Sequence, residues 1–242
     1  MCLSPTGQAQ EQIGRFDVNV RVDEITNPET LGAFSDIYKS GDDISWHIYV
    51  PEDYDPSNPP GIFVFISPSK SGAVAGRWHE SLKQENFIYI SANNAGNRAP
   101  ANRRVLNALL AVQYISSRYK TNAERTVIAG FSGGARVSSI VVEAVPDIFE
   151  AGVFMGGAFN WRGDLAALEA QLAGGAYVFM TGGRDQAQDE TRRAYLQYKK
   201  SGLKNLKLMS PRKMGHEYPK SKDFAEALSF ISRHLELTVV AD

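Results

Sequence analysis

The clearest chemistry in this chain lies at residues 130–134, Gly-Phe-Ser-Gly-Gly, which fit the pattern G-x-S-x-G. The apolar run at residues 126–129 precedes them and is typical of a buried strand, and residues 135–145 after them are typical of a helix. A serine on so tight a strand-to-helix turn has a strained backbone and an exposed hydroxyl. The flanking glycines let neighbouring backbone approach because they carry no Cβ. This context predicts that Ser132 is a nucleophile.

A serine hydroxyl needs a base to take its proton, and imidazole is the side chain that does so near neutral pH. His216 follows a predicted strand at residues 206–209, and Asp185 follows another at residues 177–181. Catalytic groups of open α/β sheets collect at the carboxyl ends of the strands, so we expect these two side chains to meet Ser132 there. The carboxylate would fix the imidazole tautomer and stabilise the imidazolium. The three side chains together predict acyl-transfer chemistry.

Other candidates for the acid and the base fit ordinary structural roles. Asp189 is the second choice for the acid after Asp185, and it also fits a helix N-cap, as does Asp164. The remaining histidines fall within a predicted strand, a predicted helix and the last turn of the final helix. They are His47, His79 and His234, respectively.

The order of elements predicts the fold class. The predicted strands span residues 16–25, 46–50, 61–66, 87–90, 126–129, 152–155, 177–180 and 206–209. The predicted helices span residues 77–85, 100–119, 135–145, 165–172, 189–200 and 224–235. The first two strands alternate apolar and polar residues and suggest an antiparallel entry, whereas the later units alternate strand and helix. We therefore expect an α/β fold with a mostly parallel central sheet and helices on both faces.

Length, charge and cysteine content exclude several classes. The chain has 242 residues, and we expect a flexible tail at residues 1–13 and a single domain at residues 14–242. With 26 Lys and Arg against 27 Asp and Glu, it lacks the basic excess of nucleic-acid binders. No apolar run is long enough for a membrane span. One cysteine, and four histidines without a His-x-x-x-His pair, predict no metal site.

The lone cysteine, Cys2, leaves the compartment open. In one interpretation, the chain is cytoplasmic and the cysteine belongs to a frayed tail. In the other, the chain is a cell-envelope or secreted protein and Cys2 is a former lipid anchor point. Nothing in the sequence indicates an oligomeric state.

Four segments together resemble the α/β-hydrolase superfamily. They are residues 130–134, Pro-Asp-Ile-Phe at 146–149, Thr-Gly-Gly-Arg-Asp at 181–185 and Gly-His at 215–216. The resemblance covers about residues 45–235, with the serine, aspartate and histidine in the order that this fold uses. Polyhydroxybutyrate depolymerase and feruloyl esterase-like carboxylesterases are the most similar branch. The resemblance implies a serine carboxylester hydrolase that acts through an acyl-enzyme on short acyl or aryl esters, without a cofactor.

Two other functions remain open beside this one. The first is a peptidase or amidase on the same fold, because sequence does not reveal how firmly His216 protonates the leaving group. The second is a catalytically silent binding protein that keeps the fold. The usual sign of such a protein is a missing catalytic residue, and the serine, aspartate and histidine are all present.

One part of the pattern departs from the family. Gly133 is expected to donate its backbone N–H to the oxyanion. The second donor commonly follows a His-Gly pair, but Ser67-Pro68-Ser69-Lys70 stands at that place. Proline has no N–H, so the backbone of Ser69 is expected to donate instead, with Lys70 next.

The residues that bind substrate are less well defined by sequence. Only about twenty residues separate the strands at 152–155 and 177–180, which predicts that there is no large lid. Aromatic and amide side chains near the predicted strand ends are candidates for a substrate pocket. They are Phe159, Trp161, Trp78 and Asn94, with Asn93 and Asn97 as further polar candidates.

Overall fold

The computed structural model describes residues 11–239, and its centre is an eight-stranded sheet. The strands are β1 Gly14–Arg21, β2 Asp43–Val50, β3 Gly61–Ile66, β4 Phe87–Ala92, β5 Thr126–Phe131, β6 Ala151–Met155, β7 Ala176–Met180 and β8 Asn205–Met209. The helices are α1 Pro28–Ala33, α2 His79–Gln84, α3 Ala101–Arg118, α4 Gly133–Ala144, α5 Leu165–Leu172, α6 Gln188–Ser201 and α7 Ser221–Val239. Cys2, like residues 1–10 of the predicted tail, lies outside the described residues, and residues 11–13 are exposed and irregular.

The strand order is β1-β2-β4-β3-β5-β6-β7-β8. β2 pairs antiparallel with both β1 and β4, and the remaining pairs are parallel. The edge strand β1 alternates exposed and partly buried residues, whereas β3, β5, β6 and β7 are buried along their whole length. This is the burial that a parallel sheet covered on both faces requires, and it confirms the predicted fold class.

Helices cover both faces of the sheet. Side chains of α3, α4, α5 and α6 pack against one face, including Leu106, Val141, Leu168 and Tyr198. Side chains of α2 and α7 pack against the other face, including Leu82 and Phe224. The sheet therefore lies between two apolar layers, and its polar chemistry is confined to the ends of the strands.

The connection from β6 to β7 contains α5 as its helix, so no large lid covers the carboxyl edge, as predicted. The short helix α1 was not predicted. None of its six residues is buried, so it lacks the apolar face whose periodicity predicts a helix. The side chain of Asn27 caps it by accepting the N–H of Thr30 at 2.8 Å. No helix among the described residues is both long enough and apolar enough to cross a membrane.

The register of the parallel strands aligns their carboxyl ends. Phe131 of β5 is opposite Met155 of β6, which is opposite Met180 of β7, which is opposite Met209 of β8. The loops that follow these four strands therefore begin at one level of the sheet edge. The residues expected to do chemistry lie in three of these loops.

Candidate active site

Ser132 occupies the single residue between β5 and α4. Its backbone has φ 56° and ψ −122°, a conformation that non-glycine residues rarely adopt. Its N–H donates to the carbonyl oxygen of Met155 at 2.8 Å, which ties the turn to the neighbouring strand. A Cβ at Gly130 would overlap the backbone of Gly134, and one at Gly134 would overlap the carbonyl oxygen of Ile66. The strained turn therefore requires both glycines, because the start of α4 contacts the ends of β3 and β5 directly.

Three predicted side chains form a continuous hydrogen-bonded relay. Nε2 of His216 lies 2.8 Å from Oγ of Ser132, and Nδ1 of His216 lies 2.7 Å from Oδ1 of Asp185. Asp185 also accepts the N–H of Ala187 at 2.8 Å and the hydroxyl of Thr181 at 3.3 Å. Its side chain is 0% exposed, whereas that of His216 is 25% exposed. With Nδ1–H donating to the buried carboxylate, Nε2 is free to accept the serine proton.

The loops that carry the acid and the histidine are bonded to each other through their backbones. The N–H of Arg184 donates to the carbonyl oxygen of Met214 at 3.1 Å, and the N–H of Gly183 donates to that of Pro211 at 3.3 Å. A Cβ at Gly182 would overlap the carbonyl oxygen of Met214, so the two loops meet without room for a side chain. The adjacent glycines that follow β7 therefore allow the acid to reach the histidine.

The alternative acids and histidines lie in other environments. Asp164 accepts the N–H of Ala166 at 3.1 Å and caps α5, as expected, while Asp189 lies in the first turn of α6. The three remaining histidines each have a different neighbour. They are His47 beside Asp17 at 2.8 Å, His79 stacked on Tyr49 at 4.5 Å and His234 bonded to the carbonyl oxygen of Phe230 at 2.7 Å.

The two predicted oxyanion donors differ in availability. Gly133 is the first residue of α4, where the N–H groups have no partner within the helix and the helix dipole favours negative charge. The N–H of Ser69 already donates to Oγ of Ser67 at 3.2 Å within its own loop. The loop satisfies its donor internally, which argues against the predicted role of Ser69.

Arg104 is a site residue that the sequence analysis missed. Its side chain is 5% exposed and donates to the carbonyl oxygens of Ser67 at 3.0 Å and of Gly133 at 3.2 Å. Burial lowers the pKa of its guanidinium. Arg104 thus holds the loop after β3 against the start of α4. Arg104 lies one and two helical turns before the buried Ala108 and Ala111, and this spacing is the signal that would have indicated it.

Arg136 is a second residue that was missed. Its N–H donates to the carbonyl oxygen of Ser132 at 3.2 Å, and its guanidinium bonds to both carboxylate oxygens of Glu190, at 2.7 Å and 2.8 Å. This charge-assisted pairing raises the pKa of Arg136 and joins α4 to α6 beside the nucleophile.

The four predicted pocket residues do not share one site. Phe159 and Trp161 line a surface cavity of about 430 Å³ together with Ile140 and Glu143 of α4. Asn94 lines a different cavity of about 530 Å³, near Pro68, Lys70 and Asn97.

The prediction that Trp78 faces the substrate is wrong. Its side chain is 1% exposed, stacks on Phe224 at 4.2 Å and donates to the carbonyl oxygen of Pro219 at 3.2 Å. The fully satisfied ring belongs to the core between α2 and α7.

Among the described residues, no group of three or more His, Cys, Asp or Glu side chains is placed to hold a metal ion.

Comparisons with known structures identify the fold. The feruloyl esterase module from Clostridium thermocellum, complexed with sinapinate, matches with a TM-score of 0.69 and 13% identity, over 96% of this chain and 93% of that one. A ferulic acid esterase matches with a TM-score of 0.70 and 14% identity, over 92% of this chain and 100% of that one. A Bacteroides ovatus protein assigned as a dipeptidyl aminopeptidase IV matches with a TM-score of 0.66 and 14% identity, over 94% of this chain. The match covers only 36% of the Bacteroides protein.

These likenesses confirm the α/β-hydrolase fold expected from the sequence. A comparison with curated protein sequences found no match. The family model of the prolyl oligopeptidase family, peptidase family S9, matches residues 81–210, which is more than half of the chain. The chain therefore belongs to the prolyl oligopeptidase family and has the α/β-hydrolase fold.

Proposed function

We propose that this protein is a serine carboxylester hydrolase that cleaves short acyl or aryl esters through an acyl-enzyme. The observation that carries the proposal is the relay from Ser132 Oγ through His216 to Asp185, with links of 2.8 Å and 2.7 Å. In this role Ser132 is the nucleophile, His216 is the general base and then the general acid, and Asp185 orients the imidazole.

In the acylation step, Oγ of Ser132 forms a bond to the ester carbonyl carbon while its proton passes to Nε2 of His216. The carbonyl π electrons move to oxygen, and the N–H of Gly133 stabilises the resulting oxyanion. When the C–O bond to the alcohol breaks, His216 returns the proton to the leaving oxygen. Water then attacks the acyl-enzyme by the same route, and the carboxylic acid leaves with Ser132 regenerated.

The likeness to a ferulic acid esterase and to a feruloyl esterase module, over nearly the whole of both chains, supports an ester as the substrate. An amide differs chiefly at the leaving group, because its nitrogen leaves only when protonated. Amide cleavage therefore depends more strongly on proton delivery by His216.

A peptidase is the second candidate, and one observation supports it specifically. The family whose model matches residues 81–210 is described as the prolyl oligopeptidase family. Rates on p-nitrophenyl esters, from acetate to laurate, and on aminoacyl p-nitroanilides separate the two functions. We expect cleavage of the short esters, and faster cleavage of the anilides would favour the peptidase.

The proposal is tested by labelling the nucleophile. A fluorophosphonate probe should modify Ser132 in the folded protein, because only a serine with a poised base reacts at a useful rate. Ser132→Ala and His216→Ala should each abolish labelling and ester hydrolysis. His234→Ala is the matched control, since this histidine lies within α7, where it bonds to the carbonyl oxygen of Phe230, and its loss should leave both intact. Folded wild-type protein that stays unlabelled and inactive on all the esters would refute the proposal.

A further inference from the structure

Neither of the first two backbone positions considered for the second oxyanion donor is available in the loop after β3. Pro68 has no N–H, and the N–H of Ser69 donates to Oγ of Ser67 at 3.2 Å. A serine hydrolase that relied on Gly133 alone would lose about 100- to 1000-fold in rate. Another group near Gly133 can supply the missing hydrogen bond only if it lies where that loop meets the start of α4.

The segment that follows β4 reaches this position. The backbone N–H of Asn97 donates to the carbonyl oxygen of Pro68 at 2.9 Å. A Cβ at Gly96 would lie 2.6 Å from the carbonyl carbon and oxygen of Ser69. Residues 96–97 are therefore held directly against residues 68–69, and the position of Asn97 follows that of the loop.

The side chain of Asn97 extends from this anchor to the residue after the nucleophile. A Cβ at Gly133 would overlap Oδ1 of Asn97 and would lie 3.1 Å from its Nδ2. The carboxamide thus lies against Gly133, between the loop after β3 and the N-terminus of α4. Its oxygen and nitrogen have no hydrogen-bond partner among the described residues, and the side chain is exposed. A half-turn of the amide plane about χ2 therefore exchanges Nδ2 and Oδ1 without breaking a hydrogen bond.

We propose that the side-chain amide of Asn97 is the second oxyanion donor. When an ester binds, Nδ2–H and the N–H of Gly133 both donate to the carbonyl oxygen as it gains negative charge. A carboxamide is a known kind of oxyanion donor, and here it takes over from the backbone group that Pro68 lacks. The inference rests on the proposed function, because an oxyanion forms only if Ser132 attacks a carbonyl.

The placement also explains why residue 133 is glycine. Its φ is not in the left-handed region, so its backbone does not require glycine. A side chain at this position would instead displace the amide of Asn97. We therefore expect Gly133→Ala to act through Asn97, which makes the contact measurable by a double-mutant cycle.

The experiment compares single and double variants on p-nitrophenyl acetate. Asn97→Ala and Asn97→Asp should each lower kcat about 100-fold or more with little change in KM, because the donor acts on the transition state and not on the ground state. The Asp variant has nearly the same shape but no N–H. Asn102→Ala, an exposed change in the first turn of α3, is the control and should keep wild-type kcat.

Gly133→Ala should also lower kcat, and the double variant Asn97→Ala/Gly133→Ala should be no slower than Asn97→Ala alone. Fully additive losses, or an Asn97→Ala variant with more than about one third of the wild-type kcat, would overturn the role of Asn97. If either outcome were found while Ser132→Ala was inactive, the proposed function would stand without the role of Asn97. If Ser132→Ala kept full activity, both would be overturned together.

Discussion

Asp185→Asn tests what the buried carboxylate contributes to catalysis. Oδ1 of Asp185 accepts from both His216, at 2.7 Å, and Ala187, at 2.8 Å, while Oδ2 accepts from Thr181 at 3.3 Å. An asparagine can keep its oxygen at the Oδ1 position and donate from Nδ2 to the threonine oxygen. The substitution therefore preserves the orientation of the imidazole and removes the negative charge.

The size of the effect follows from the geometry. A carboxylate and an imidazolium joined by a 2.7 Å hydrogen bond have charge centres about 4 Å apart. At an effective dielectric constant of about 20, their attraction is about 4 kcal/mol. The imidazolium forms only as Ser132 attacks, so this energy lowers the barrier and not the ground state. We expect Asp185→Asn to lower kcat on p-nitrophenyl acetate about 1000-fold.

Steady-state kinetics at saturating ester provide the assay, and circular dichroism confirms that the variant is folded. Asp189→Asn is the matched control, because Asp189 lies in the first turn of α6 and was the alternative acid in the sequence. A loss of less than tenfold in folded Asp185→Asn would refute the electrostatic reasoning. A larger loss in Asp189→Asn would refute the choice of acid.

Two further predictions concern stability. Burial raises the pKa of the Glu143 carboxyl to about 7 from 4.5, so the folded state binds this proton more tightly and the wild type loses stability as the pH rises from about 4.5 through about 7. In urea denaturation, Glu143→Gln should be up to about 3 kcal/mol more stable than the wild type at pH 8 and no more stable at pH 4. The control Glu169→Gln, at an exposed position, should show no such difference. An equal gain in stability at both pH values would contradict the reasoning. The second prediction is that Gly134→Ala lowers the free energy of unfolding by about 1–3 kcal/mol, because its Cβ would overlap the carbonyl oxygen of Ile66. Gly76→Ala, where the space around the new Cβ is open, should show no comparable loss in the same assay. Equal stability of the two alanine variants would show that α4 can move away from β3.

The elements around the site follow from local sequence patterns. Continuous apolar runs predicted the buried strands, and the observed bounds of β3 and α5 coincide with the predicted ones. The elbow itself is shorter than predicted, since β5 continues to Phe131 and α4 begins at Gly133. Periodicity does not mark these ends, because the glycines that allow strand and helix to abut carry no apolar signal.

The core and pocket assignments depend on contacts that sequence does not contain. Trp78 belongs to the core because Phe224, about 145 residues later, stacks on its ring. Arg104 matters because the carbonyl oxygens of two distant segments converge on it. A buried aromatic ring and one that lines a substrate pocket look alike in sequence, and so do an exposed and a bridging arginine.

The sequence by itself determined the chemistry that this chain can perform and the order in which its parts occur. A serine between glycines after a buried strand, then an aspartate and a histidine after later strands, are local features, and parallel strands bring their carboxyl ends to one edge. Only the tertiary structure decided which groups touch. The 2.7 Å and 2.8 Å links of the relay, the internal hydrogen bond of Ser69 and the amide of Asn97 against Gly133 all join segments far apart in the chain or depend on the shape of a loop. A hydrogen bond requires its donor and acceptor to lie within about 3 Å and in line, so such contacts are set by the packing of the whole fold and not by local pattern.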